Sequence, residues 1–187
     1  FDSSPLGADY NFLLKGKSAD LQLGVDVLRK LTSGKIHINV SATETTCNEL
    51  LKLENVQINR FEGAHPAGNI SVQIANIDPI NKGDIIWYID AQDLAIIGKL
   101  FASGRVEMQK MIALVGPEVK NPQYFNVLFG ACVSSIVQNN VNSDKHLRFI
   151  SGNILTGTII TSIGYFGAYD NLISVMDTFL EREFVLD

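Results

Sequence analysis

Helical and strand-like segments alternate along residues 18–104, and this alternation constrains the fold more than any other feature of the sequence. Helical spacing of apolar residues predicts a first helix, with Ser18 as its N-cap and Gly34 at its end. Residues 35–41 then alternate apolar and polar side chains, which predicts a half-buried strand. The apolar positions of the helix are Leu21, Val25, Leu28 and Leu31.

The next segments continue the alternation. Thr46 and Glu49 fit a capping box for a short helix. Residues 56–61 predict a second strand that runs into the sequence GAHPAGN, residues 63–69. The apolar residues that follow fit either a strand or a helix, and Asn69 as an N-cap favours the helix.

Residues 85–89, IIWYI, are predicted to form a strongly apolar strand, in which Trp87 and Tyr88 pack in the core. Asp90 is a suitable N-cap for the next helix, and Gly104 is placed to end it. Helices that alternate with strands in this way indicate a largely parallel sheet covered by helices. The residues expected on the core face of that last helix are Leu94, Ile97, Gly98 and Phe101.

The pattern changes near Met108, where short strand-like segments replace the alternation. One helix, at residues 131–138, lies among them, which is typical of a small α+β domain. We therefore expect two domains, 1–107 (α/β) and 108–187 (α+β), with Met108 and Met111 in the core. The expected strands of the second domain are 111–115, 125–129, 149–151, 158–163 and 172–176.

Composition excludes several classes of function. The formal net charge is −5 and no Lys/Arg cluster is present, so a nucleic-acid partner is not expected. No apolar run approaches the roughly 20 residues that span a bilayer. Cys47 and Cys132 are isolated, which fits a reducing compartment and supports neither a disulfide, nor a zinc site, nor an iron–sulfur cluster. Phe1 is not an initiator methionine, and we expect the chain to be an excerpt or a processed product.

The GAHPAGN sequence supplies the candidate ligand-binding residues Gly63, His65, Pro66, Gly68 and Asn69. A glycine-containing loop before a helix exposes backbone N–H groups to an anion. The sequence nevertheless lacks the GxGxxG pattern and the P-loop lysine, and a stiff turn built by two glycines and a proline is the favoured interpretation.

Other ionisable side chains do not form a convincing site. His37 and His146 lie in polar surroundings and are expected to be solvated rather than metal ligands. Asp90 and Asp93 are explained as an N-cap and a first-turn acid. No nucleophile motif is present, so we assign no catalytic residue and no metal ligand.

Three longer stretches carry a family resemblance: residues 63–104, the sequence ALVGPEVKNPQYFNVLFGAC, and FISGNILTGT. They resemble the A subunit of the sodium-translocating NADH:quinone oxidoreductase. The similarity runs almost continuously from about Arg60 to Met176. The proteins of this family are longer at both ends, so this chain corresponds to their middle part.

The resemblance implies a Rossmann-like domain followed by a small β-grasp, soluble-ligand-binding domain. It also implies a peripheral subunit on the cytoplasmic face of the inner membrane, in a complex that couples electron transfer from NADH to ubiquinone to sodium export. The flavins and the iron–sulfur centre belong to other subunits in this family, so we expect no cofactor in this chain. Its expected partners are those subunits and ubiquinone, with roles in assembly and quinone access.

A more distant resemblance connects the first domain with the flavin- and NADH-binding subunit of respiratory complex I. In that relative, adjacent glutamates follow the second glycine of the corresponding turn, whereas this chain has Asn69 and Ile70. This difference implies a nucleotide-binding scaffold that has lost its chemistry. The alternative function is a non-catalytic module that binds a quinone, a flavin or a nucleotide, and a free-standing dehydrogenase is the least supported.

Overall fold

The computed structural model describes residues 1–43, 48–142 and 146–178. The chain divides into two compact units, Phe1–Met108 and Gln109–Asp187, which we call unit 1 and unit 2. Unit 1 contains five helices and two strands in the described residues. In chain order they are α1 (Tyr10–Leu13), α2 (Ser18–Leu31), β1 (His37–Ser41), α3 (Asn48–Leu51), β2 (Gln57–Phe61), α4 (Ile70–Ile77) and α5 (Ala91–Ser103).

The strands β1 and β2 form a parallel pair in unit 1. His37 lies beside Gln57 at one end of the pair, and Ser41 lies beside Phe61 at the other. Both carboxyl ends therefore lie at one edge of the sheet, and β2 leads from that edge directly into residues 63–69. The predictions of these two strands are confirmed, and so is the helix predicted after residue 69.

Helices α2 and α5 pack closely because a glycine stands at each point of approach. A Cβ atom on Gly98 would lie 1.7 Å from the backbone oxygen of Asp20, and one on Gly24 would lie 2.5 Å from the backbone oxygen of Leu94. Real Cβ atoms are never found that close to a backbone oxygen, so both positions require glycine. The apolar side chains buried along these two helices include Leu21, Val25, Leu94 and Ala95.

The ends of α2 differ from the prediction. Ser18 is the first helical residue rather than the cap, and Lys17 holds the N-cap position without a side-chain hydrogen bond. The helix ends at Leu31, where Thr32 is already extended, so Gly34 does not end it. Leu31 is 77% exposed and does not reach the core. The predicted cap Thr46 lies outside the described residues.

The prediction of a third strand at residues 85–89 is wrong, since the structure has no regular strand there. The core packing predicted for its aromatic residues is also wrong, because Trp87 is 86% and Tyr88 is 72% exposed. A strand at this position needs a neighbouring strand, and none among the described residues pairs with it. The segment is apolar in composition, but apolar composition alone does not bury a strand without a neighbouring element to pack against.

Local signals predicted the ends of α5 well. The Asp90 side chain accepts a hydrogen bond from the backbone N–H of Gln92 at 2.8 Å, and Gly104 adopts a left-handed conformation with φ of 70°. Both the cap and the stop are therefore confirmed. Phe101 is 63% exposed, however, so it does not share the buried face with Leu94.

Unit 2 is built on a five-stranded mixed sheet in the order β4-β3-β7-β5-β6. β3 and β7 are parallel, while the other neighbouring strands are antiparallel. The five predicted strands and the one predicted helix are confirmed, with shifts of a few residues at their ends. They are β3 (Gln109–Val115), β4 (Gln123–Leu128), α6 (Val133–Val137), β5 (Leu147–Ser151), β6 (Thr158–Ile160) and β7 (Leu172–Asp177).

The core of unit 2 lies between this sheet and α6. The central strand β7 contributes the fully buried side chains Ile173 and Val175, and α6 contributes Val133. Met111 is half-buried, but Met108 is 52% exposed, so the prediction that Met108 lies in the core is wrong. The described structure is therefore a mixed α/β fold, with a parallel strand pair in unit 1 and a separate mixed sheet in unit 2.

Candidate functional site

The GAHPAGN turn connects the carboxyl end of β2 with the first turn of α4. Gly63 has a φ of 129°, which favours glycine, and the His65–Pro66 peptide bond is cis. Within the turn, the N–H of Ala67 donates to the Ala64 oxygen at 2.9 Å, and the N–H of Asn69 donates to the Pro66 oxygen at 2.8 Å. These bonds make residues 63–69 a hydrogen-bonded turn, as the favoured interpretation requires.

Asn69 stands at the N-cap of α4 by its backbone angles, yet its side chain makes no capping hydrogen bond. The backbone N–H groups of Val72 and Gln73 instead donate to the Asn69 carbonyl, each at 3.0 Å. The predicted cap is therefore right in position, but the capping side-chain bond is missing.

The first residues of the chain lie against the turn. The N–H of Gly68 donates to the Ser3 hydroxyl oxygen at 2.7 Å, and the same hydroxyl lies 3.4 Å from Nδ1 of His65. A Cβ atom on Gly68 would lie 2.2 Å from the Ser3 backbone nitrogen. The N–H of Gly68, which an anion bound at this helix N-terminus would use, is therefore occupied by Ser3.

Gln73 ties α4 to the turn and to the first residue. Its Nε2 donates to the carbonyl oxygen of Phe1 at 2.8 Å and to that of Gly68 at 3.1 Å. Gln73 is only 3% exposed, whereas the apolar Ile70 of the same helix is 38% exposed. This polar side chain is thus more deeply buried than an apolar neighbour in its own helix, because its partners are backbone carbonyls.

A row of side-chain amides continues from Gln73 across the strand pair. Asn39 of β1 donates through Nδ2 to Oε1 of Gln73 at 2.7 Å. Asn59 of β2 donates to Oδ1 of Asn39 at 2.9 Å, and the same Nδ2 lies 3.1 Å from Nδ1 of His37. We call Gln73, Asn39, Asn59 and His37 the amide row.

Three of the five predicted site residues contact Ser3 or Gln73: His65, Gly68 and Asn69. Gly63 is exposed and shapes the turn through its positive φ. Pro66 is exposed and contributes its cis peptide bond and its carbonyl oxygen. The sequence did not indicate Ser3 or Gln73, because a contact between residues 65 positions apart leaves no local pattern. Nothing in the sequence distinguishes Gln73 from Ser71 and Asn76, the other polar residues of α4.

The two remaining histidines, His37 and His146, differ in their exposure. His146 is exposed, whereas His37 is half-buried and bonded to Asn59, so only His146 is as exposed as expected. Among the described residues no group of three or more His, Cys, Asp or Glu side chains is arranged to hold a metal ion. In the same residues no helix is long and apolar enough to cross a membrane.

A groove of about 330 Å³ lies elsewhere in unit 1, at the amino ends of β1 and β2. Its walls include Arg29, Lys35 and Asn55, and none of the five predicted site residues lines it.

Cys132 is the free cysteine of the described residues, at the N-cap position of α6. Its Sγ lies 3.1 Å from the Ser134 hydroxyl. This hydrogen bond and the backbone N–H of Ser134 lower the pKa of the Cys132 thiol, since both stabilise the thiolate.

Comparison with known proteins places both units in one family. The family model described as "NqrA second alpha/beta domain" matches residues 1–106, and the one described as "NQRA C-terminal domain" matches residues 111–162. The two matches adjoin the point where the structure divides into units 1 and 2.

Curated relatives match almost the whole chain. The A subunit of the Na(+)-translocating NADH-quinone reductase from Haemophilus influenzae (strain PittGG) is 37% identical over 98% of this chain. The proteins of the same name from Pasteurella multocida and Rhodopirellula baltica are 32% and 33% identical over the same share. The chain spans about 41% of the length of the first two relatives and 40% of the third. It therefore belongs to the NqrA family, the A subunits of the Na(+)-translocating NADH-quinone reductase.

Proposed function

We propose that this chain is the middle part of a peripheral subunit in a sodium-translocating NADH:ubiquinone reductase. In this proposal it serves assembly and quinone access at the cytoplasmic face of the inner membrane. The observation that carries the proposal is the match of both units, in the same order, to two domains of one family. Flavins and the iron–sulfur centre belong to partner subunits, and this chain performs no redox step alone.

The fold supports the proposal at a coarser level. A parallel strand pair with intervening helices is consistent with a Rossmann-like unit 1, and one helix against a mixed sheet is consistent with a β-grasp unit 2. We assign these two fold types as part of the proposal.

The exposed apolar segment 85–89 supports a role in assembly. Ile85, Trp87 and Tyr88 are each at least 72% exposed, and large exposed apolar side chains that adjoin in sequence are typical of surfaces covered by other protein. We propose that the other subunits of the complex, or the remainder of the full-length NqrA protein, cover this segment.

Co-purification tests the assembly role. The tagged chain is co-expressed with the remaining reductase subunits, and the subunits that elute with it are quantified. We expect stoichiometric recovery with the wild type and a clear loss with Trp87→Ser. Lys30→Ala, a change on the exposed surface of α2, is the matched control and should retain the partners. Elution of the wild-type chain without any reductase subunit contradicts the proposal.

Calorimetric titration tests the quinone role separately. The purified chain is titrated with a short-chain ubiquinone, with NADH and FMN as parallel ligands. Saturable quinone binding that weakens in His65→Ala supports quinone access through the turn. Binding of NADH or FMN instead favours the nucleotide-binding alternative, and binding of none removes quinone access from the role of the isolated chain. Whichever ligand binds, oxidation of NADH by the purified chain with an artificial electron acceptor contradicts the proposal that this chain performs no redox step alone.

A further inference from the structure

The hydrogen bonds of the amide row run in one direction only. A carbonyl oxygen accepts and never donates, so Gln73 must turn its Nε2 towards the carbonyls of Gly68 and Phe1. Its Oε1 then faces β1, and Asn39 must present its Nδ2 to it. The carbonyl oxygens of Phe1 and Gly68 therefore determine which way the Gln73 side-chain amide faces, and Gln73 in turn determines the orientation of Asn39.

The same logic fixes the state of His37. Since Oδ1 of Asn39 is an acceptor, Asn59 must also present its Nδ2, and that nitrogen lies 3.1 Å from Nδ1 of His37. Nδ1 can accept this hydrogen bond only when it carries no proton. The amide row therefore requires a neutral His37 with its proton on Nε2.

Protonation of His37 conflicts with this direction. A proton on Nδ1 would face the NH₂ group of Asn59, and rotating that amide by 180° would set two oxygens, those of Asn59 and Asn39, against each other. If Asn39 rotates as well, its Oδ1 faces the Oε1 of Gln73. If Gln73 also rotates, its Oε1 faces the carbonyl oxygen of Gly68. One bond of the row is lost in each case, and near the buried Gln73 that loss is costly.

β1, β2 and α4, the elements that carry the row, contain one ionisable side chain besides His37. Arg60, in register with Val40, is the other ionisable residue of the two strands, and α4 contains none. The α-amino group of Phe1 donates to the backbone oxygen of Asn39, and the Asp2 carboxylate accepts from the N–H of Ser4.

His65 lies in the turn itself, so its protonation is the competing explanation for any effect of pH on residues 63–69. Its Nδ1 lies 3.4 Å from the Ser3 hydroxyl to which Gly68 donates. Any test of His37 must therefore separate the two imidazoles.

We propose that His37 is a proton sensor for the GAHPAGN turn: its protonation, transmitted by the amides of Asn59, Asn39 and Gln73, releases the Gln73 hydrogen bond to Gly68. The neutral imidazole holds residues 63–69 in the conformation described above, and the protonated imidazole loosens them. The coupling links β1 to the turn through side chains alone, and it holds whether or not the turn binds a ligand.

Nuclear magnetic resonance of the ¹⁵N-labelled chain tests the proposal between about pH 7 and about pH 5, the range in which histidine titrates and α-amino groups stay charged. The signals to follow are the backbone N–H of Gly68 and the side-chain NH₂ of Gln73. We expect both to shift with the midpoint of the His37 imidazole. Both shifts should persist in His65→Asn and disappear in His37→Asn, whose amide oxygen replaces Nδ1 as an acceptor without titrating.

Asn59→Ala is the second variant, because it interrupts the row and leaves both imidazoles in place. We expect His37 to titrate still, while Gly68 and Gln73 no longer follow it. Shifts of Gly68 that vanish in His65→Asn and persist in His37→Asn overturn the proposal, as does a Gln73 signal that stays constant while His37 titrates. Retention of the Gln73 titration in Asn59→Ala would equally exclude transmission through the amides.

Discussion

The backbone N–H of Gly68 donates a 2.7 Å hydrogen bond to the hydroxyl of Ser3, 65 positions earlier in the chain. This contact fills the place where a helix N-terminus would otherwise present an N–H group to an anion. It also explains why the second glycine of the GAHPAGN turn is needed: the approach of the Ser3 backbone leaves no room for a side chain.

Gly68→Ala is expected to destabilise unit 1 by about 1–3 kcal/mol, because the added methyl group displaces the Asp2–Ser3 backbone. Ser3→Ala removes only the hydroxyl, so it should cost about 1 kcal/mol. Urea-induced unfolding of both variants, monitored by circular dichroism, measures the difference. Equal stabilities of Gly68→Ala and the wild type would show that the segment before residue 4 does not pack on the turn.

Gly98→Ala and Gly24→Ala are expected to lower the stability of unit 1, although alanine favours a helix by about 1 kcal/mol over glycine. The new methyl groups would meet backbone oxygens at 1.7 and 2.5 Å, so α2 and α5 must separate. The closer contact predicts the larger loss for Gly98→Ala. Thermal unfolding measures it, with the exposed Lys30→Ala as the control within about 0.5 kcal/mol of wild type. A stabilised Gly98→Ala would contradict the helix packing.

The sequence predicted well those features that depend on neighbouring residues. Asp90 and Gly104 mark the ends of α5 by capping chemistry that acts within one helical turn, and both were identified. The strands of unit 2 were found because alternation and glycine punctuation are local signals. The candidate turn was located for the same reason, since a strand, two glycines and a helix follow one another directly.

The sequence could not predict features that depend on distant contacts. The apolar segment 85–89 has every local property of a buried strand, but burial requires a neighbour, and periodicity does not supply one. Gln73 was invisible for a related reason, because only the positions of the Phe1 and Gly68 carbonyls decide which face of α4 is buried. The contribution of Ser3 to the turn is likewise a tertiary contact.

The exposure of Trp87 has a direct spectroscopic consequence, because it is the one tryptophan of the chain. Since the indole is 86% exposed, we expect red-shifted fluorescence that iodide quenches efficiently in the native chain. Trp87→Ser should change the free energy of unfolding by no more than about 0.5 kcal/mol. Blue-shifted, unquenched emission would place the residue in a core or in a contact between copies, which dilution then distinguishes.

The Cys132 thiol should react faster with iodoacetamide at neutral pH than an ordinary cysteine, because its lowered pKa increases the thiolate fraction. Ser134→Ala removes the hydroxyl that contributes most to this effect, so the pKa should rise and the rate near neutral pH should fall. At alkaline pH the Cys132 thiol is ionised in both the wild type and Ser134→Ala, so their alkylation rates should converge.

Peptide mapping distinguishes the alkylation of Cys132 from that of Cys47. Ser135→Ala is the matched control, since the Ser135 hydroxyl donates to the Cys132 carbonyl and not to the sulfur. Equal slowing in both serine variants would assign the effect to the α6 backbone instead.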